Sequence, residues 1–195
     1  MYKLVGNRAT RAFRPLWLLE ELGVAYDHIP AAPQSDAVRA FSPLGKVPVL
    51  VDGDAVIGDS TAILSYLADK HGAFTHAAGT VARACQDAWT FRLLDEVDAV
   101  LWTAARHAFV LPEAERVPAV RDSLKAEFAR NMHRISNELE TPYLAGDAPT
   151  VPDVILAHCM GWARVAKFPD APDNLISYLR RLKDRAAFQA AAALS

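Results

Sequence analysis

The run from Ser42 to Ile63 constrains the fold more than any other stretch of the chain. Val47-Pro48 stands just before a β-rich segment, where an X-Pro bond makes a fixed and sometimes cis turn. Asp52-Gly53, between Val49-Leu50-Val51 and Ala55-Val56-Ile57, is a strong signal for a tight hairpin. Asp59-Ser60 then occupies the place of a helix N-cap, ahead of the apolar positions Ile63, Leu64 and Leu67. The order is therefore turn, strand, hairpin, strand and polar helix start. It leaves backbone and hydroxyl donors beside a peptide-like turn, which suits a small anionic peptide better than a metal or a nucleotide.

The residues before this run supply the other half of a sheet. Tyr2-Lys3-Leu4-Val5 is a short strand ending in the turn Gly6-Asn7. Phe13, Leu16, Trp17, Leu18, Leu19 and Leu22 recur at helical spacing, and Gly23 follows as the stop. Pro15 is tolerated only in the first turn, which places the helix start near Thr10–Ala12. Val24–Pro30 forms a second strand, Pro33–Phe41 a loop with a short helical turn, and Ser60–Lys70 a helix closed by Gly72. The first 72 residues thus read β-α-β-α-β-β-α, an order that resembles the thioredoxin fold.

Small residues and histidine dominate residues 73–79, the composition of a linker. Beyond it the pattern is helical nearly throughout, over Thr80–Phe109, Ala114–Glu138, Val151–Lys167 and Asn174–Ala192. The expected organisation is α+β: a thioredoxin-like domain over residues 1–72, a linker over 73–79, and an all-helical domain over 80–195. The net charge of −2 is spread evenly along the chain, without the basic field of a nucleic-acid reader. Neither a membrane span nor a secretory h-region is evident. Cys85 and Cys159, the only two cysteines, have no CxxC partner and read as free thiols of a reducing compartment. His71, His76, His107, His133 and His158 show no H-x-x-x-H spacing, and no metal is expected.

Four ordered segments resemble the cytosolic glutathione S-transferase superfamily, and the likeness covers nearly the whole chain. Arg11 to Gly23 is similar to the first helix of its bacterial members. Ser42 to Leu50 is similar to the turn that holds the cis-proline, and Asp59 to Leu67 to the γ-glutamyl site. Tyr143-Leu144-Ala145-Gly146-Asp147 with Thr150-Val151-Pro152-Asp153 resembles the start of the core helix of the second domain. Thr150 and Asp153 also read as a capping-box variant with a structural role.

The resemblance implies glutathione as co-substrate, a small-molecule electrophile as its partner, a homodimer, and a cytoplasmic location. Ser60 would offer its hydroxyl and N–H to the γ-glutamyl carboxylate, assisted by the helix dipole. Asp59 would face the ammonium group, where the family more often has Glu or Gln. The alternative for both residues is an ordinary helix N-cap, which the hairpin just before them makes the lesser reading. Val47 would pair its backbone with the cysteinyl residue beside the turn at Pro48. Lys46 would face the glycyl carboxylate or simply remain a solvated loop lysine.

The thiol end departs from the family. Tyr, Ser or Cys near the first helix activates the thiol there, and the loop Gly6–Arg11 contains none of the three. Thr10 has its only hydroxyl and fits either a thiol donor or a plain cap. Lowering a thiol pKa from about 8.5 to about 6.5 takes roughly 2.7 kcal/mol. A charged hydrogen bond supplies about 1.5–3 kcal/mol and a helix N-terminus about 0.3–2 kcal/mol, so Thr10 suffices in magnitude. Phe13, Trp102 and Arg106, with Ala105 and Phe109, are the expected contacts of the electrophile. Two readings follow: a transferase that activates glutathione for attack on electrophiles, and a non-catalytic relative that binds glutathione or a protein partner. Thiol exchange would need a cysteine near the first helix, and the first 84 residues hold none.

Overall fold

The computed structural model describes residues 1–194 and divides into two compact units. One comprises Met1–Thr80 together with the chain from Leu182 onward; the other is Val81–Arg181.

The first unit is built on a four-stranded sheet. Strands β1 (Tyr2–Val5), β2 (Tyr26–Ile29), β3 (Val49–Asp52) and β4 (Ala55–Gly58) lie in the order β2-β1-β3-β4. β1 runs parallel to β2 and antiparallel to β3, and β3 and β4 form the hairpin expected from Asp52-Gly53. Helices α1 (Phe13–Leu22), α2 (Asp36–Arg39) and α3 (Ser60–His71) complete the β-α-β-α-β-β-α order. The apolar side chains Leu4, Leu16, Leu18, Leu50, Ile63, Leu64 and Leu67 are fully buried, and α1 packs against α3. Their burial supplies the main stabilisation of the unit, at about 1.5–3 kcal/mol for each large side chain.

Helix α1 starts at Phe13, slightly later than the sequence pattern predicts. Residues 7–14 approach it through tight turns, with Phe13 N–H on the Thr10 carbonyl and Arg14 N–H on that of Arg11. The Thr10 hydroxyl oxygen takes the Ala12 N–H, which keeps the regular helix from extending back.

The second unit is helical. Helices α4 (Val81–Leu93) and α5 (Ala99–Ala105) are joined and followed by wide π-turns at Leu94–Asp98 and Arg106–Val110, so residues 81–110 follow one helical course. Helix α6 spans Val120–Glu138, not Ala114–Glu138. Pro118 forces Val117 out of the helical region, and residues 113–115 make only a short 3₁₀ turn. Helix α7 (Val151–Val165) is the buried centre, with Val154, Ile155 and Cys159 fully enclosed. Its N-terminus closes on itself. Asp153 Oδ2 accepts from the Thr150 N–H (2.8 Å) and hydroxyl (2.9 Å), while Oδ1 accepts from Leu144 N–H (2.9 Å) and the Tyr178 hydroxyl (2.7 Å). Burial raises the pKa of Asp153, and these four donors pull the other way.

The final helical stretch is two helices, α8 (Asp173–Lys183) and α9 (Ala186–Ala193), where the pattern predicts one. Arg185 is extended between them and sends its guanidinium to Glu21 in α1, with Nε–Oε1 at 2.5 Å and Nη2–Oε2 at 2.7 Å. The Trp17 indole N–H also reaches Glu21, at 2.9 Å, and Phe188 stands edge-on to both Phe13 and Trp17. Helix α9 therefore covers the stripe Phe13, Trp17 and Glu21 on α1.

Candidate functional site

Three strands of the first unit end in one row. Val5 pairs with Val49, and Val49 pairs with Gly58. The loop from Gly6 leaves this row from β1, Val47 lies two residues before it on β3, and Ser60 two residues after it on β4. The register alone therefore gathers the first loop, the proline turn and the start of α3 at one end of the sheet. Gly6 fixes the approach. Its φ is +140°, and a Cβ there would come within 2.8 Å of Ala12 Cβ and 3.1 Å of Val47 Cβ. Only glycine lets the loop lie this close to Val47.

The Val47–Pro48 bond is cis. Val47 stands outside the paired register of β3 on both sides, so its N–H and C=O are not part of either ladder. The loop before it is braced. The Gln34 N–H donates to the Gly45 carbonyl (2.8 Å), the Gln34 amide to that of Leu44 (3.0 Å), and Arg39 Nη2 to Gln34 Oε1 (2.6 Å). Lys46 is exposed beside this brace.

At the start of α3, Asp59 is the N-cap, with Oδ1 accepting from Thr61 N–H (2.8 Å) and Ala62 N–H (3.0 Å). Its φ of 67° is unusual for a residue other than glycine or asparagine and places its carboxylate at the surface. Ser60 is 2% exposed, and its Oγ accepts from Nη1 of Arg14 at 3.2 Å. With the oxygen turned to Arg14, the hydroxyl proton remains for an acceptor on the other side.

Arg14 itself is fully buried. Sequence reasoning missed it, although a signal existed. Arg14 stands in the otherwise apolar run of α1, between Phe13 and Pro15-Leu16, where a solvated arginine has no place.

The first loop is tied down internally. Asn7 Oδ1 accepts from Ala9 N–H (2.8 Å), and the Thr10 hydroxyl donates to the Asn7 carbonyl (2.6 Å) while accepting from Ala12 N–H (3.1 Å). Thr10 thus turns its single proton inward. Phe13, half-buried, meets Trp17 and Phe188 within the same unit. Trp102 and Arg106 lie in the second unit, four residues apart along one helical course and both exposed. Among the described residues no cluster of His, Cys, Asp and Glu could hold a metal, and no helix is long and apolar enough to cross a membrane. Cys85 is exposed and Cys159 buried, neither in a disulfide, and the Cys159 thiol lies 3.8 Å from Asp98 Oδ2.

Known proteins share this fold. The family described as glutathione S-transferase, N-terminal domain, matches residues 11–75. A glutathione S-transferase 4 of Zea mays is 29% identical, over 89% of this chain and 83% of its own. The putative glutathione S-transferase alpha-2 of Dictyostelium discoideum is 27% identical over 70% of this chain, a match spanning 61% of that relative's length. Among solved structures, the theta class glutathione S-transferase of Xanthomonas axonopodis pv. citri, with glutathione bound, superposes with a TM-score of 0.79 at 26% identity, covering 100% of this chain and 98% of its own. The Xylella fastidiosa glutathione S-transferase has the same fold, with a TM-score of 0.84 at 22% identity over 98% of this chain and 97% of its own. The fold is thus a thioredoxin-like unit followed by a helical one. The chain belongs to the glutathione S-transferase superfamily.

Proposed function

We propose that this protein binds glutathione at the end of the sheet in its first unit and activates the thiol for attack on an electrophilic small molecule. The observation that carries the reading is the register. Val47, with backbone groups outside both ladders, and Ser60, with a hydroxyl proton to give, stand two residues beyond the same β3–β4 pair. An extended peptide laid along Val47 gains strand-like hydrogen bonds, and its carboxylate-bearing end reaches the start of α3. In this reading Asp59 takes the α-ammonium and Lys46 the glycyl carboxylate, while Val47 and Pro48 hold the cysteinyl residue. The relative from Xanthomonas, which has glutathione bound, supports it.

The thiol would lie over the first loop. Thr10 then rotates its proton from the Asn7 carbonyl to the sulfur, aided by the N-terminus of α1. Phe13, in the same unit, contacts the electrophile in this proposal. The reading also includes a homodimer in a reducing cytoplasm.

Binding of glutathione by calorimetry, followed by conjugation kinetics with an aryl halide, tests the proposal. Thr10→Val keeps the shape and removes the proton. It is expected to lower kcat/KM about 10- to 100-fold and to raise the pKa seen in the pH–rate profile, while leaving the Kd for glutathione within about twofold. Glutathione bound without any rate above the uncatalysed reaction would instead indicate a binding protein.

A further inference from the structure

We infer that His28 is a positioning residue for thiol activation: its ring, standing on β2, locks the peptide plane between Gly6 and Asn7, from which the Thr10 end of the first loop hangs. The inference rests on the thiol-activation reading above and adds to it a residue that acts only through the loop.

His28 pairs with Leu4 in the parallel register of β1 and β2, and its half-buried ring puts Nε2 2.9 Å from the Gly6 carbonyl oxygen. A carbonyl only accepts, so Nε2 carries the hydrogen, as it does in the imidazolium and in one neutral tautomer. The N–H at the other end of the same peptide plane, that of Asn7, donates to the Ala31 carbonyl at 3.0 Å. Both ends of the Gly6–Asn7 plane are thus held by β2 and the residues just after it.

A lock has more to do at this plane than at most others. Gly6 has a φ of +140°, and a glycine lets the plane after it turn at little steric cost. The crowding against Ala12 and Val47 acts at the Gly6 Cα, and the bond from Gly6 N–H to the Ile29 carbonyl (2.9 Å) lies upstream of the plane. Downstream, the Asn7 carbonyl accepts both the Thr10 N–H at 3.0 Å and the Thr10 hydroxyl at 2.6 Å. When the hydroxyl proton turns to the sulfur, the bond from the Thr10 N–H remains, and the Asn7 carbonyl still sets where Thr10 stands. The line of contact therefore runs from His28 through the Gly6–Asn7 plane to Thr10, wholly within the first unit. Without the ring donor the plane is held at one end only, and the hydroxyl meets the sulfur from a spread of positions.

The test is conjugation kinetics on the full chain with glutathione and an aryl halide, together with the pH dependence of the thiolate absorbance of bound glutathione. His28→Phe keeps a ring and removes the donor; His28→Gln places an amide N–H at the position of Nε2. His28→Phe is expected to lower kcat/KM about 5- to 20-fold and to raise the pKa of the bound thiol, with the Kd for glutathione within about twofold. His28→Gln should recover most of the loss. Because the effect passes through the Thr10 hydroxyl, His28→Phe should change kcat/KM by less than about twofold in a Thr10→Val background. Equal losses in both backgrounds, no recovery with His28→Gln, or a fall in stability with the thiol pKa unmoved each overturn the inference and leave the glutathione reading standing. Should His28→Phe fail to fold, His28→Asn, whose amide stops at the position of Nδ1, takes its place in the same cycle. A wild type that binds glutathione without turnover overturns thiol activation and the role of His28 with it.

Discussion

Two helix N-termini in this molecule use similar residues for opposite ends. At α7 the carboxylate of Asp153 collects four donors from Thr150, Leu144 and Tyr178, and everything polar there is answered within the fold. At α3 the carboxylate of Asp59 answers only two N–H groups and faces solvent, while Ser60 receives a hydrogen bond from behind and keeps its own proton. A closed cap stabilises. The open cap leaves Ser60 a hydroxyl proton, which in the proposed function goes to the bound peptide. The difference lies in where the second oxygen and the spare proton go, not in residue type.

Removing the closed cap should have the largest effect. Asp153→Ala leaves two N–H groups and two hydroxyls without their acceptor in the interior, and a loss of about 3–5 kcal/mol in urea unfolding is expected. A loss under about 1 kcal/mol would break the contrast, because the cap at α7 would then be dispensable. Ser60→Ala should give the converse pattern. Its KM for glutathione should rise about 10- to 30-fold, with kcat nearly unchanged and little change in unfolding midpoint. A large fall in stability with no change in KM would make Ser60 a second structural cap.

The smallest effect sharpens the same contrast through acid titration. Asp52, at the other end of β3, binds Lys70 and the Tyr66 hydroxyl, and these bonds hold its pKa below the usual carboxylate value. A carboxyl with a depressed folded pKa contributes stability above its unfolded pKa and loses it as pH falls through the folded one. Asp153, raised by burial, has the opposite sign. The wild type should therefore exceed Asp52→Asn in stability above about pH 5, and the two should converge below about pH 3. Unfolding curves measured across this range check it; a gap that widens in acid would reverse the assignment.

The local parts of this architecture were legible in the sequence. Asp52-Gly53 encodes its hairpin in two residues, and Gly23 and Gly72 end their helices through a backbone angle that only nearby residues need supply. The order of elements in the first unit followed from such signals. What could not be read was set by contacts distant along the chain. The break between α8 and α9 depends on Arg185 reaching Glu21, 164 residues earlier. The direction of the Thr10 proton depends on how the loop folds back on Asn7, and the same hydroxyl pattern serves a cap or a donor equally well. At the candidate site, Ser60 and Asp59 were visible as a helix start. Arg14 was not, because hydrophobic periodicity assigns a face to a residue and says nothing of which partner waits there.

The cover that α9 places on α1 has a consequence for how the chain is made. Trp17 is completely enclosed, and Phe188 is one of the residues that enclose it. During synthesis the strands and helices of the first 80 residues emerge with that face of α1 still bare. The first unit to leave the ribosome is therefore among the last to be finished, and a nascent chain stalled before Phe188 would present an open aromatic surface to chaperones.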